Sequence, residues 1–391
     1  MAWDYKRWAT IDDPSHKSDL NAIAGDYGCL RAFKYGKDAT AEGKSRESET
    51  ECNGRMMSGT ATHETVARAL GNPKVQPKML SHSDTWSVDV ASCQRVYDLE
   101  MAQAVGGRRV HWYDADDEKI TVQRAEMIAG VLNDMKHHVM SVRLLEAGFI
   151  VKIGDYWCSG HTDLIYEPMR HPGTIALADW KTGQTKPNQI ALDHSWESGV
   201  YSAAMKSGLW IAREHVELPI NTVGRYMKER EALETELIRV AKAYTEHGEL
   251  PDHVQVLGQF PSEIHYVHLA DYVPYQKAGK KEAKRPEELR FYGLDEPGDV
   301  KYAKGQQRGP AWYEVRRTEQ DIPRLESLLR NVVGTIRMGR FFESVGEKCT
   351  RCPHKQPCLN SGYELRGDPK QVMDRMLKQL AIEDDGLGEV G

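Results

Sequence analysis

The chain has 391 residues, 40% hydrophobic and 28% charged, with a formal net charge of −6. This is the composition of a soluble globular protein with room for one large domain or two ordinary ones. The acidic balance argues against non-specific nucleic-acid binding over the whole surface. No apolar run approaches the roughly 18 residues of a membrane span, so no membrane partner is expected. The opening MAWDYKRWATIDD has no basic segment followed by an apolar stretch, so a cytoplasmic location is expected. In that reducing compartment, clustering among the seven cysteines suggests metal rather than disulfides.

Residues 17 to 36 read as a helical or irregular opening segment that includes Cys29, and Glu42 to Gly54 as an exposed polar linker. At Ser58 the segment SGTATHETVARAL offers an N-cap followed by apolar positions at helical spacing. Residues 120 to 145 again read as helix through Ala125, Ile128, Val131, Leu132 and Met135. AGFIVKIGDYWCSGHTDLIYE is a β-hairpin turning at Gly154 and Asp155, and TIALADWKTG is a further short strand. QIALDHSWESGVYSAAMKSGLW reads as helix, and 217 to 275 as mixed, with a strand in EIHYVHLADYV. Residues 276 to 311, rich in Lys, Gly and Pro, read as a loop or insertion, and a helix from Glu319 to Gly339 leads into a cysteine-rich end.

Strands flanked by helices fit an α/β core. The expected organisation is an N-terminal segment at 1–58, a core at 59–215, and a continuation with a basic insertion at 216–320. A C-terminal helix with its cysteine cluster at 321–365 and an acidic tail at 366–391 complete it.

The chemistry concentrates on Gly160-His161-Thr162-Asp163 and Asp179-Trp180-Lys181. With a side-chain period of two along a strand, Asp179 and Lys181 share a face. Two carboxylates suit Mg²⁺ or Mn²⁺, hard ions that prefer oxygen. Such an ion acidifies a bound water and neutralises charge developing on a phosphate, and a neighbouring lysine adds electrostatic stabilisation. Asp-x-Lys triplets also arise by chance on solvated strands. Here the triplet follows an apolar run and a Gly-x-x-Asp, with His63 upstream and Glu197 and Tyr201 on a helix downstream. Glu146, just before the hairpin, is a weaker acidic candidate, since a lone Glu between Leu145 and Ala147 reads more readily as a surface residue.

Cys349, Cys352 and Cys358 form a compact C-x2-C-x5-C cluster with prolines inside it, suited to a soft metal centre. Three thiolates need a fourth ligand. His354 would make a zinc site and Cys29 a more distant partner. Cys52, Cys93 and Cys158 show no ligand pattern and read as ordinary thiols, with Cys158 packed in the hairpin. Local positive charge lies at Lys277, Lys280, Lys281, Lys284 and Arg285, then at Lys301, Lys304, Arg308, Arg316 and Arg317. With Trp312 and Tyr313 these residues could line a nucleic-acid strand or simply face solvent.

The order Gly59-Thr60-Ala61-Thr62-His63, Gly160 to Asp163, Asp179 to Lys181 and Glu197 to Tyr201 resembles the RecB-type PD-(D/E)XK nucleases, including CRISPR-associated exonucleases and AddB-like recombination nucleases. The resemblance implies a restriction-endonuclease-like mixed sheet flanked by helices. It implies that His63, Asp163 and Asp179 hold the metal, that Lys181 is catalytic, and that Tyr201 lies near the nucleic-acid path. Glu197 stands where that family usually has Gln, which leaves its role open. DYGCLRAFKYG resembles the early cysteine segment of iron–sulfur members, in which one early and three late cysteines hold a [4Fe–4S] cluster clasping the chain ends. Cys29, Cys349, Cys352 and Cys358 match that arrangement.

The resemblance thus implies a metal-dependent DNA exonuclease working on single strands or duplex ends, in recombination, repair or processing. With no Walker-type phosphate loop in the sequence, a helicase would be a separate partner, as would any recombination or CRISPR component. The alternative is a DNA-binding or assembly protein that keeps the fold and works through a partner. A zinc-ribbon protein with a fortuitous Asp-x-Lys is a third reading.

Overall fold

The computed structural model describes residues 3–24, 29–41, 51–72, 81, 87–112, 115–183, 187–216, 218, 225–269 and 310–341. Two units are distinguished: a smaller one of Met1–Trp3, Ala22–Lys44 and Arg340–Gly391, and a larger one of Asp4–Asn21 and Ser45–Gly339.

β1 (Ser15–His16) leads into α1 (Lys17–Ala24), of which Lys17–Asn21 belong to the larger unit. β2 (Glu51–Asn53) and β3 (Arg109–His111) form a small parallel pair. Three helices, α3 (Gly54–Gly71), α4 (Val90–Val105) and α5 (Ala115–Asp134), precede the main sheet. Its centre is the hairpin of β4 (Val139–Ile153) and β5 (Tyr156–Pro168), turning at Gly154 and Asp155 as expected. Gly154 takes a φ of 59°, a left-handed conformation that glycine adopts without strain.

β6 (Ala176–Lys181) runs antiparallel to β5, β9 (Glu263–His268) parallel to β6, and β10 (Ala311–Val315) antiparallel to β9. On the other side, β7 (Leu209–Ile211) and β8 (Val254–Gln255) extend the sheet from β4. The order is β10-β9-β6-β5-β4-β7-β8, with β1 pairing parallel to β5.

Both faces of the sheet are covered, which is why β5 and β6 are buried along nearly their whole length, the polar residues of β5 included. Leu70, Tyr97, Ile128 and Leu132 pack with Leu164, Tyr166, Ala178 and Trp180 in one core. A second core joins Phe149, Ile165 and Leu177 to Val200 and Tyr201 of α7 (Trp196–Ser207) and to Leu325 and Leu329 of α9 (Asp321–Arg337). In a third, Leu233 and Leu237 of α8 (Arg225–His247) meet Ile150 and Ile211. Each such buried leucine contributes about 1.5–3 kcal/mol by leaving water.

Several local expectations are corrected. α3 starts at Gly54, not Ser58, because the Asn53 side chain accepts hydrogen bonds from the Arg55 and Met56 amides at 2.9 and 3.3 Å. Ser58 instead hydrogen-bonds the Tyr97 hydroxyl at 2.8 Å. The helix read over 120–145 ends at Asp134, and from Val139 the chain is strand paired with β5. The segment from Gln189 divides into α6 (Gln189–Asp193), α7 and β7. The 23-residue α8 occupies much of the stretch read as mixed. The strand in EIHYVHLADYV and the helix leading to the cysteine-rich end are both present.

In the smaller unit, α2 (Leu30–Ala41) begins just after Cys29, whose carbonyl accepts from the Phe33 amide at 2.9 Å. The rings of Trp3 and Phe33 meet edge-on at 5.5 Å, and Phe341 lies 6.4 Å from Trp3. Among the described residues no helix is long and apolar enough to cross a membrane.

Candidate metal centre and catalytic site

The pairing register builds the first half of the site. Glu146 of β4 stands opposite Asp163 of β5, between the pairs Leu145–Leu164 and Ala147–Thr162. Glu146 adopts a φ of 47°, which a residue with a side chain holds at a cost of about 1–3 kcal/mol and which recurs at functional sites. His63 comes from α3, which lies close to the end of β6: a Cβ on Gly59 would stand 3.2 Å from Thr182 Oγ1. The glycine of Gly-x-x-x-His therefore lets the helix approach.

His63 Nδ1 lies 3.1 Å from Asp163 Oδ1, and one ligand atom each from His63, Glu146 and Asp163 lie within 4.8 Å of one another. Asp163 is fixed from its other oxygen, which accepts the Trp180 amide at 2.6 Å. Arg230 of α8 closes this half, 3.3 Å from Glu146 Oε2 and 3.8 Å from Asp163 Oδ1.

The electrostatics follow from burial. Glu146 is 3% exposed; burial first, and the Asp163 charge second, push its carboxyl up to about 7. Burial pulls the His63 imidazole down, but the Asp163 charge, its hydrogen bond and the Glu146 charge outweigh this, so the net shift is upward.

The second half is built on β6 and α7. Asp179 Oδ1 lies 2.7 Å from Lys181 Nζ, and Oδ2 accepts from the Tyr201 hydroxyl at 2.6 Å and from Lys17 Nζ at 3.3 Å. Glu197 bridges the two lysines, 2.9 Å from Lys17 and 3.8 Å from Lys181. Burial opposes ionisation of Asp179, but Lys181 and Lys17 together hold its carboxyl far below the usual range. Burial likewise opposes the Lys181 charge, yet Asp179 and Glu197 raise its ammonium above the ordinary value. Lys181 is therefore a fixed cation at neutral pH, suited to stabilising a developing oxyanion and unsuited to acting as a general base.

His63, Asp163, Asp179, Lys181, Glu197 and Tyr201 thus come from α3, β5, β6 and α7 to one site. Of the three expected metal ligands, His63 and Asp163 share a ligand group, while Asp179 is held instead between lysines. Glu146, read as a surface residue, is buried and completes that group. Its signal in the sequence was position alone: the residue opposite Asp163 across an antiparallel pair.

Tyr201 is fully buried and anchors Asp179. Lys17 and Arg230, which no motif marked, are the further charged residues of the site. Trp312, offered as a stacking platform, stacks on His138 at 4.1 Å and donates its indole N–H to Asp134 at 2.7 Å. Arg317 donates to Ser198 Oγ and to the Ser195 carbonyl, and Arg316 pairs with Glu314. The basic residues from Lys277 to Arg308 lie outside the described residues, as do Cys349, Cys352 and Cys358. Cys158 is buried in the hairpin, where desolvation pushes its thiol up to about 12. Cys52 and Cys93 are buried as well.

The residues present fit a divalent cation. The donors are one imidazole nitrogen and two carboxylates, and the buried Glu146 Oε1 has no hydrogen-bond partner. Ligand atoms around a Mg²⁺-sized ion stand about 3 to 4.2 Å apart, and those of this group lie within 4.8 Å of one another. A carboxylate–imidazole group beside a lysine held charged is the donor set with which metal-dependent hydrolases of phosphate esters work. Residues 27–359 match the family model of the PD-(D/E)XK nuclease superfamily, and the chain belongs to that superfamily. Comparison with curated proteins gives no match. The restriction-endonuclease-like fold expected from the sequence accords with this membership and with the mostly antiparallel, helix-flanked sheet. Nucleases of this superfamily use divalent metals such as Mg²⁺ or Mn²⁺.

Proposed function

We propose that this protein is a RecB-type deoxyribonuclease that hydrolyses phosphodiester bonds from single strands or duplex ends. The observation that carries the reading is the His63–Glu146–Asp163 group, its two carboxylates buried and its imidazole half-buried, together with the Asp179–Lys181 pair. His63, Glu146 and Asp163 would hold Mg²⁺ or Mn²⁺, with Asp179 joining them once freed from its lysines. The bound ion supplies an acidified water and neutralises charge on the phosphate.

Lys181 carries the electrostatic part of the reaction, its ammonium kept charged by Asp179 and Glu197. Tyr201 fixes Asp179 from behind, and Glu197 fixes the two lysines. The order of motifs along the chain supports the RecB-type assignment, and with it a role in recombination, repair or processing beside a separate helicase or CRISPR component.

A [4Fe–4S] cluster on Cys29, Cys349, Cys352 and Cys358 belongs to the same reading. Its support among the described residues is the contact of Trp3, Phe33 and Phe341, which brings the segments before and after the core together in the smaller unit. Protein purified without oxygen should be brown, and Cys29→Ser should bleach it; a colourless protein containing zinc overturns the cluster.

The test of function is cleavage of end-labelled single- and double-stranded DNA with Mn²⁺ or Mg²⁺, beside Asp179→Ala and Lys181→Ala. Metal-dependent cleavage abolished by both substitutions is the expected result. Wild-type protein that binds every DNA and cuts none returns the reading to a scaffold that works through a partner.

A further inference from the structure

Lys17 enters the site from outside every motif. Ser15 and His16 pair with Cys158 and Ser159, which fixes the backbone just ahead of it at the edge of β5. From there its side chain crosses Gly160: a Cβ at that position would lie 3.0 Å from Lys17 Cγ and Cδ, and 2.7 Å from Phe149 Cζ. The glycine of Gly-x-x-Asp is thus the floor over which the lysine passes.

At its tip, Nζ is 2.9 Å from Glu197 Oε1 and 3.3 Å from Asp179 Oδ2, and it also bonds the Tyr201 hydroxyl. The side chain is 13% exposed. Lys181 meets the same two carboxylates on their other oxygens. Both oxygens of Asp179 are therefore engaged by ammonium groups, and Asp179 stands outside the group of three cation ligands. A divalent ion gains Asp179 only when one ammonium withdraws. The contact at 3.3 Å is longer than that of Lys181 at 2.7 Å, and Lys17 keeps Glu197 as a partner when it lets go.

We propose that Lys17 is a positioning residue that competes with the divalent cation for Asp179, holding the carboxylate back in the metal-free site and yielding it as the ion binds. A positive charge a few ångströms from a half-buried cation site lowers its affinity for a second positive charge. Removing the Lys17 charge therefore tightens metal binding, whereas removing a merely structural lysine would loosen the site or leave it unchanged. The proposal rests on the reading of His63, Glu146 and Asp163 as the cation site.

The experiment is calorimetric titration of Mn²⁺ into the full chain and into Lys17→Met, Lys17→Gln and Lys17→Arg, with circular dichroism recorded on each. Affinity should rise about tenfold in the two neutral variants and stay at the wild-type value in Lys17→Arg. Adding Asp179→Asn to Lys17→Met should erase the gain. A neutral variant that is folded and binds Mn²⁺ no tighter than wild type overturns the proposal, as does a gain that survives Asp179→Asn. Asp163→Ala separates the two levels: if that variant still binds Mn²⁺ as wild type does, the cation site itself is misplaced.

Discussion

Replacing Glu146 with Gln should make the metal-free protein more stable while crippling its metal site. The carboxyl stands at about 7 against an ordinary value of 4.5, so the folded state holds its proton more tightly than the unfolded chain does. Its contribution to stability is therefore complete below about pH 4.5 and is lost as pH rises through 7. At about pH 8.5 the ionised group costs the folded state about 3 kcal/mol. Gln has the same shape, can accept from Arg230 and donate to Asp163, and carries no charge to desolvate.

Thermal unfolding in chelator should thus show Glu146→Gln melting several degrees above wild type at about pH 8.5, with the gap closing towards about pH 5. Mn²⁺ affinity should fall at least tenfold, since one of the group's two carboxylate ligands is lost. A variant that melts below wild type in chelator at the higher pH, or binds Mn²⁺ unchanged, refutes the reasoning. Such a trade of stability for function is common where a site is held in a strained, charged state.

Metal binding should carry a matching pH dependence. Glu146 at about 7 and His63 above its ordinary value both lose protons to the ion, so Mn²⁺ affinity measured by calorimetry should climb with pH and level off above about pH 8; a flat profile contradicts this. Arg213 holds the buried Glu64 through two bonds of 2.5 and 2.7 Å and also pairs with Glu229. Arg213→Met strands Glu64 and leaves Glu229 to Arg225 alone, and it should cost about 3–5 kcal/mol in a denaturant titration, with Arg213→Lys recovering only part because it lacks the fork. Tyr201→Phe removes the hydroxyl that anchors Asp179. It should cost only about 1 kcal/mol of stability while slowing DNA cleavage about tenfold, read from single-turnover rates.

The hairpin, β6 and the Asp-x-Lys triplet were legible because strand periodicity and turn chemistry are local properties. Gly154-Asp155 marks the turn, and the alternation through Asp179 and Lys181 sets both on one face. Glu146 was legible only as a weaker acidic candidate, because its burial comes from the strand opposite and from α8, contacts that no local pattern carries. α8 itself hid behind its charges: Glu229, Leu233, Leu237, Val240 and Ala241 do form one buried stripe, but a glutamate begins it, neutralised by Arg225 one turn before it and by Arg213 from outside the helix. Lys17 and Arg230 reach the site from α1 and α8, far in sequence from the residues they pair with. Long-range ion pairs of this kind leave no spacing to read. Trp312, left open in the sequence between a nucleic-acid path and a solvated face, stacks on His138, a partner that local sequence does not reveal.

The most direct measurement is anomalous diffraction from crystals soaked in Mn²⁺. A peak ligated by His63 Nδ1 or Nε2, Glu146 and Asp163 is the predicted result, with Asp179 turned towards it and away from Lys17. Crystals that take up Mn²⁺ elsewhere and leave these three residues bare would contradict the assignment of this pocket as the catalytic metal centre.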